Sequence, residues 1–302
     1  MLERNGRVVA VANMKGGVGK TTTAVMLAEG FAEVGMTVLV VDLDAQANVS
    51  FCFLVNDQLK AAYEQRKTIS DFLDERLLHG VKVPILQYIS KDVSNVAKAG
   101  RLLPIDLLAA HPDLRSLERE VLFGFAEKGL GMRALEGRTL KVLQEALPKL
   151  RAQYDLVLLD CAPGISAFTE VAIRLSDLVV VPTIPDYLST LGFEVFRRSL
   201  WDDTYQAATS LPKPKRLPAV LATRVNLARR QHKLTLDDMR AEAAEAGATF
   251  TMFDVMMGNQ AAIERAMDPE QFPDPPTFVQ KWGTAVPLVR DLMDETWRRL
   301  ND

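Results

Sequence analysis

The stretch NMKGGVGKTTTAV (13–25) crowds three glycines and two lysines into thirteen residues and directly follows the apolar run RVVAVAN (7–13). It nearly matches the phosphate-binding pattern G-x-x-x-x-G-K-[ST]. Gly19, Lys20 and Thr21 fit, while Met14 stands where the first glycine belongs and Lys15 opens the loop. A strand, a glycine-rich turn and a helix beginning Lys-Thr form the arrangement that a nucleotide's phosphate chain needs. Turn N–H groups and the helix N-terminus converge on the oxygens, and glycines let that backbone approach closely. The pattern assigns phosphate binding to Gly16, Gly17, Val18, Gly19, Lys20, Thr21 and Thr22. Lys20 reaches the β- and γ-phosphates, and the Thr21 hydroxyl ligates Mg²⁺.

The rest of the chain repeats the strand–helix alternation. TTTAVMLAEGFAEVG (21–35) reads as a helix with Gly35 near its end. TVLVVD (37–42), IDLLAAH (105–111), YDLVLLD (154–160), DLVVVPT (177–183), LPAVLAT (217–223) and TFTMFD (249–254) read as further strands. Near-continuous apolar strands are buried on both faces, as in a parallel sheet covered by helices. The expected fold is therefore α/β: a doubly wound, mostly parallel sheet with helices on both faces. Residues 51–103 are less regular and read as an excursion on one edge, with a helical piece at 68–78. The proline-rich stretches 211–218 and 267–276 read as loops inside a single domain spanning 1–302. With 48% apolar and 25% charged residues the chain buries an ordinary core. Its two cysteines, Cys52 and Cys161, give neither a disulfide framework nor a metal knuckle, which points to a reduced, intracellular protein. No run approaches the ~20 apolar residues of a membrane span, and no signal-peptide stretch opens the chain. His79, His111 and His232 are scattered, and Ser166 in GISAF (164–168) lacks the second glycine of a nucleophile elbow.

KGGVGKTTT (15–23) resembles the deviant Walker A box of the ParA/MinD ATPase superfamily. VVDLDAQANVS (40–50) is similar to the switch I segment of ParA proteins, and YDLVLLDCAPGIS (154–166) to their Walker B and switch II segment; LLPIDLLAAHPDL (102–114) also resembles a ParA stretch. The resemblance runs over roughly residues 7–225 and implies a P-loop fold that takes ATP and Mg²⁺. It makes Lys15 the signature lysine, which crosses to the other subunit's nucleotide in an ATP-bound homodimer. It makes Asp44 the switch I carboxylate that orients the attacking water, and Asp160 the Walker B carboxylate, a water-mediated Mg²⁺ contact. Asp42, at the end of the same strand as Asp44, reads either as part of the Mg²⁺ shell or as a strand cap. Ala45 stands where a proline is usual and Ala47 where a glycine is frequent, which puts the hydrolysis rate in question more than nucleotide binding.

From Thr204 to Leu236 there is no acidic residue, against seven lysines and arginines, in a chain of net charge −3. TRVNLARRQHK (223–233) follows a strand and should lie at the ligand edge of the sheet. Arg224, Arg229, Arg230 and Lys233 are read as nonspecific DNA-phosphate contacts, as the resemblance to ParA proteins also implies, and Asn226 as an adenine contact. MMGNQAAIERA (256–266) lacks the proline-arginine motif of many ParA proteins. VPLVRDLMDETWRRL (286–300) carries an apolar stripe at Leu288, Val289, Leu292, Met293, Trp297 and Leu300. Its mixed charges suit a helix packed on the domain better than the basic, membrane-binding tail of MinD proteins. The function implied is a ParA-like, nucleoid-associated cytoplasmic ATPase positioning a plasmid, chromosome segment or other cargo, its slow hydrolysis stimulated by a ParB-like adaptor. The alternative is a MinD-like positioning ATPase at a membrane.

Overall fold

Wherever the sequence runs apolar for four to seven residues beside a helical pattern, a strand forms, and seven such strands join side by side. The computed structural model describes residues 6–207, 209–272 and 274–302. Residues 1–5 of the expected 1–302 domain, Ala208 in the acid-free window and Pro273 in the second proline-rich loop lie outside the described residues. Strand β1 (Arg7–Val11) leads through helix α1 (Lys20–Glu33) to β2 (Val38–Leu43). Three short helices follow, α2 (Asn48–Phe53), α3 (Asn56–Glu64) and α4 (Ile69–Leu77), then a small hairpin of β3 (Ala97–Lys98) and β4 (Arg101–Leu102), and β5 (Ile105–Leu108). Helices α5 (Leu114–Ala126) and α6 (Met132–Gln153) precede β6 (Leu156–Cys161) and α7 (Ala167–Leu175). Next come β7 (Leu178–Thr183), α8 (Tyr187–Trp201), α9 (Asp203–Gln206), β8 (Ala219–Val225), α10 (Arg230–Ala243) and β9 (Thr251–Gly258). Helices α11 (Ala261–Ala266), α12 (Phe278–Trp282) and α13 (Val286–Asn301) follow.

The main sheet has the order β5-β2-β6-β1-β7-β8-β9, and every neighbouring pair is parallel. Side chains alternate between its faces. Val9 and Val11 enter the core shared with α1 and α13, whereas Val8, Ala10 and Ala12 enter the core shared with α6, α7 and α8. This is the doubly wound α/β fold expected, with covered faces that demand near-continuous apolar strands. The chain leaves β1 toward β2 on one side and leaves the neighbouring β6 toward β7 on the other. The crevice between their carboxyl ends is a topological switch point, where ligands of open α/β sheets bind.

Several boundaries differ from the sequence reading. Helix α1 stops at Glu33, two residues early, because Gly35 takes φ 94 and its N–H bonds the Ala32 carbonyl. Strand β9 continues to Gly258, four residues past the expected end. The segment 114–153, left unassigned by the sequence, holds α5 and α6. The 51–103 excursion docks on the free edge of β5, where Ile69 N–H bonds the Ala109 carbonyl and Ser90 exchanges both backbone bonds with Leu107.

Helix α13 lies along α1 and buries Val286, Val289, Leu292, Met293 and Leu300. Gly30 makes the contact close: a Cβ there would stand 3.2 Å from Val289 Cγ1. Of the expected stripe, Trp297 is the outlier, 39% exposed and set edge-on to Phe31. Beneath α1, the buried Glu29 carboxylate accepts from Lys281 Nζ and, at 2.8 Å, from Trp282 Nε1. Lys281 also donates to Asn95 Oδ1 (2.9 Å), and Asn95 Nδ2 donates to the Cys52 carbonyl (3.1 Å). This polar chain ties α1, α2 and α12 together inside the core.

Candidate functional site

The loop between β1 and α1 is shaped by residues in and beyond the motif. Gly17 (φ 71) and Gly19 (φ 92) take left-handed conformations, which cost an L-residue roughly 1–2 kcal/mol. Buried Asn13 fixes the start of the loop. Its amide donates to the Pro182 carbonyl (2.7 Å), and its Oδ1 accepts the Lys15 N–H (3.1 Å). Thr223, at the end of β8, fixes the far side by donating from its hydroxyl to the Val18 carbonyl (2.7 Å). Neither residue is picked out by the motif. The available signal was only a polar residue closing an apolar run.

Lys20 is buried and its Nζ donates to the Lys15 carbonyl (3.0 Å), which holds it over the loop. Burial lowers its pKa while Asp160 and Asp44 pull the other way. Thr21 Oγ1 donates to Asp160 Oδ2 (2.8 Å), and Asp160 Oδ1 is buried with no partner among the described residues. Burial, then the charge of Asp42, holds the Asp160 carboxyl well above the usual carboxylate range. A hydroxyl and a carboxylate with an orphaned oxygen at the start of α1 fit a hydrated Mg²⁺. Among the described residues no three carboxylates, imidazoles or thiolates converge as a free-standing metal site, so such an ion would also need phosphate oxygens.

Asp42, read either as part of the Mg²⁺ shell or as a strand cap, braces the segment that carries Asp44. Its Oδ1 accepts the Asp44 N–H (3.0 Å), and its Oδ2 accepts both the N–H (3.0 Å) and the hydroxyl (2.7 Å) of Ser50. Both oxygens hold the segment 43–50. Burial pushes this carboxyl up to about 7, with the Ser50 and Asp44 bonds opposing. Ala47 sits in the left-handed region (φ 53), the conformation that explains why glycine is frequent there. Asp44 faces the loop; its Oδ1 accepts the Gln46 N–H (3.0 Å), leaving Oδ2 for a water.

Gly16, Gly17, Thr21, Thr22, Asp44 and Arg224 are among the residues lining a cavity of about 400 Å³. A second cavity of about 180 Å³ adjoins it across Gly19, Thr22 and Arg224, with Met257, Ile263 and Met267 as its apolar wall. A larger cavity, about 440 Å³, lies apart among Arg66, Asp71, Asp74, His111, Asp113 and Glu120. Its mostly acidic wall is unsuited to phosphate.

The structure separates Arg224 from the basic residues with which the sequence groups it. Arg224 lines the cavities, while Arg229, Arg230 and Lys233 stand exposed at the start of α10. Asn226 lines neither cavity. Its Oδ1 accepts the Ala228 N–H (3.0 Å), and its own N–H bonds the Nδ1 of buried His232 (3.2 Å), so it shapes the turn into α10. The apolar wall suited to a base comes from 257–267, a segment whose sequence carries no motif for it. Lys15 Nζ donates to Ser189 Oγ (2.7 Å) and stands 3.6 Å from Asp186, both at the start of α8. Burial pushes the Cys161 thiol up and that of Cys52 to about 12, so both stay protonated. Ser166 caps α7, accepting the Thr169 N–H (3.2 Å).

Residues 6–206 match the AAA domain family AAA_31. The sporulation initiation inhibitor protein Soj of Bacillus subtilis is 30% identical over 187 residues, 62% of either chain. The chromosome partitioning protein ParA of Caulobacter vibrioides is 32% identical over 196 residues, 64% of this chain and 62% of that one. The chain thus covers less than two thirds of these relatives' length. A plasmid partition protein of Borrelia burgdorferi B31 bound to AMPPNP shares the fold, with TM-score 0.68, 18% identity and coverage of 97% and 99%. Cobyrinic acid a,c-diamide synthase of Mycobacterium smegmatis, with bound ATP analogue and magnesium, has TM-score 0.61, 26% identity and coverage of 98% and 96%. Loop, sheet order and relatives agree: the chain belongs to the AAA domain family AAA_31 and to the ParA/MinD superfamily of P-loop ATPases.

Proposed function

We propose that this chain is a partition-type ATPase that binds MgATP, dimerises on it, holds DNA without sequence preference and positions a plasmid, chromosome segment or other cargo. The observation that carries the reading is the phosphate loop itself: two left-handed glycines, Lys20 held over the loop, and the Thr21–Asp160 bond at the start of α1. Relatives named for chromosome partitioning support the biological role. The base occupies the cavity walled by Met257, Ile263 and Met267, and the triphosphate lies on Gly16–Thr22. Thr21 and Asp160 would hold a Mg²⁺, which would neutralise phosphate charge. Asp44 orients water toward the γ-phosphate, and Asp42 keeps Asp44 in place. Lys15 leaves Asp186 and Ser189 to reach the nucleotide of a second copy. Tyr187, Leu188, Leu191 and Val195, exposed along α8 beside it, offer apolar surface to that copy. A ParB-like adaptor stimulates hydrolysis, and the whole domain, 1–302, acts as one unit.

Labelled-ATP binding, phosphate release and light scattering with a nonhydrolysable analogue test this. Lys20→Ala should abolish tight ATP binding. Asp44→Ala should bind ATP but release no phosphate. Lys15→Gln should bind ATP yet stay monomeric where the wild type dimerises. Wild-type protein without ATP affinity, or equal turnover by Asp44→Ala, overturns the corresponding assignment.

A further inference from the structure

We infer that Arg224 belongs to the nucleotide site, where its guanidinium holds the α-phosphate at the border between base and triphosphate; this rests on the nucleotide reading above. The evidence begins with the backbone. Strand β8 pairs Ala222 with Met256 and Val225 with Gly258, so β8 advances three residues while β9 advances two. The extra residue is a bulge at 223–224. Bulges are rare in parallel pairs and typically re-aim a side chain beside a site. Arg224 takes φ 51, the left-handed region, which an arginine enters only when its surroundings insist. On one side the Thr223 hydroxyl is tied to the Val18 carbonyl of the phosphate loop, and on the other the Asn226 N–H is tied to buried His232.

The bulge has a chemical consequence. Ala222 and Thr223 are each 1% exposed. Regular alternation would carry the next side chain to a covered face of the sheet, where an unpaired guanidinium is untenable. Instead Arg224 is exposed, and it lines both cavities. Among the described residues its guanidinium has no hydrogen bond or ion pair; the same is true of the side chains of exposed Arg229, Arg230 and Lys233, which line neither cavity, while the remaining cations of the acid-free window are engaged. Lys213 pairs with Asp203, Lys215 bonds Asp177 (2.6 Å), and Arg216 bonds the Arg299 carbonyl (2.6 Å). An unpaired planar fork on a shared wall matches one anionic group of a ligand spanning both cavities. Lys20 serves the β- and γ-phosphates and the loop N–H groups the α- and β-phosphates; a cation on the wall shared by the two cavities stands where base meets triphosphate, and there it adds its charge to the α-phosphate.

Arg224→Gly is the decisive variant, because glycine adopts φ 51 freely and keeps the bulge while losing the guanidinium. Its affinities for ATP and ADP, measured by calorimetry, should both fall roughly ten- to a hundredfold, as for a lost charged hydrogen bond. The ATP-to-ADP ratio should stay constant, since both ligands carry the α-phosphate, and Arg224→Lys should recover part of the loss. Unchanged affinities in Arg224→Gly overturn the assignment while leaving the nucleotide reading intact. A loss confined to ATP moves the contact to the γ-phosphate and also overturns it. Wild-type protein that binds neither nucleotide defeats the underlying reading itself.

Discussion

Two carboxylates face each other across the parallel strands β2 and β6, since the register sets Asp42 opposite Asp160. Both are buried, and both have pKa values raised first by that burial. A carboxyl whose folded pKa lies above its unfolded value takes up protons on folding. Its stabilising contribution is full below the unfolded value near 4 and is lost as pH rises through the folded value, about 7 for Asp42. The nucleotide-free protein should therefore lose stability over this window through the Asp42–Asp160 pair. Asp160→Asn removes one of the two charges, so its stability relative to wild type should improve from pH 5 to pH 8. Each pKa unit by which burial and the charge of Asp42 raise Asp160 contributes about 1.4 kcal/mol to that difference. Urea titrations at several pH values measure the difference, and a pH-independent gap between the two proteins would contradict the pairing. The sequence makes both aspartates visible as acids closing apolar runs, but register is a property of the assembled sheet. For that reason the sequence leaves Asp42 open between the Mg²⁺ shell and a strand cap and does not show its hold on Ser50 and Asp44. The same holds for Asn13 and Thr223, whose partners lie about 170 and 205 residues away in the chain.

Helix α1 is the element on which the site depends, and α13 supports it from behind. At Gly30 there is no room for a side chain between the two helices, since a Cβ would stand 3.2 Å from Val289 Cγ1 and 3.5 Å from Met293 Cβ. Gly30→Val would drive a branched side chain into Val289 and Met293. Overpacking of this kind costs about 1–3 kcal/mol. A lowered urea midpoint with unchanged slope should report it, and a midpoint equal to wild type would mean that the helices part without cost. Strands of this sheet were legible because the inner ones are covered on both faces and read as near-continuous apolar runs, while the edge strands β5 and β9 are interrupted by Asp106 and Asp254. Helices α5 and α6 were not. In α6 the buried positions Leu135, Thr139, Val142, Ala146 and Leu150 do keep helical spacing. A buried threonine, an internal Pro148 without an N–H, and further leucines off the stripe at Leu140, Leu143 and Leu147 obscure it. Helix α11 was missed because six residues make too short a period to detect.

Across the whole molecule, charge is sorted more finely than the net value of −3 suggests. Lys213, Lys215 and Arg216 are engaged within the fold, which leaves Arg229, Arg230 and Lys233 at the start of α10 for a polyanion. Three contacts per subunit, doubled in a dimer, predict a slope of log K against log salt near −5, at about −0.9 per phosphate. Binding should require ATP, because joining two weak patches makes one bivalent surface. Arg229→Glu combined with Arg230→Glu should weaken binding to every DNA sequence alike and spare ATP affinity; unchanged DNA affinity at low salt would eliminate this surface. The buried Glu29–Trp282 bond beneath α1 carries a further consequence of an optical kind. Trp282 is 0% exposed and anchored to the helix that begins at Lys20, whereas Trp297 is 39% exposed. Acrylamide will quench exposed Trp297 first and half-buried Trp201 next, and leave a blue-shifted emission from the shielded indole of Trp282, most cleanly in a Trp201→Phe background. The unlabelled protein thereby contains its own fluorophore for following how α1 responds when its N-terminus takes up phosphate.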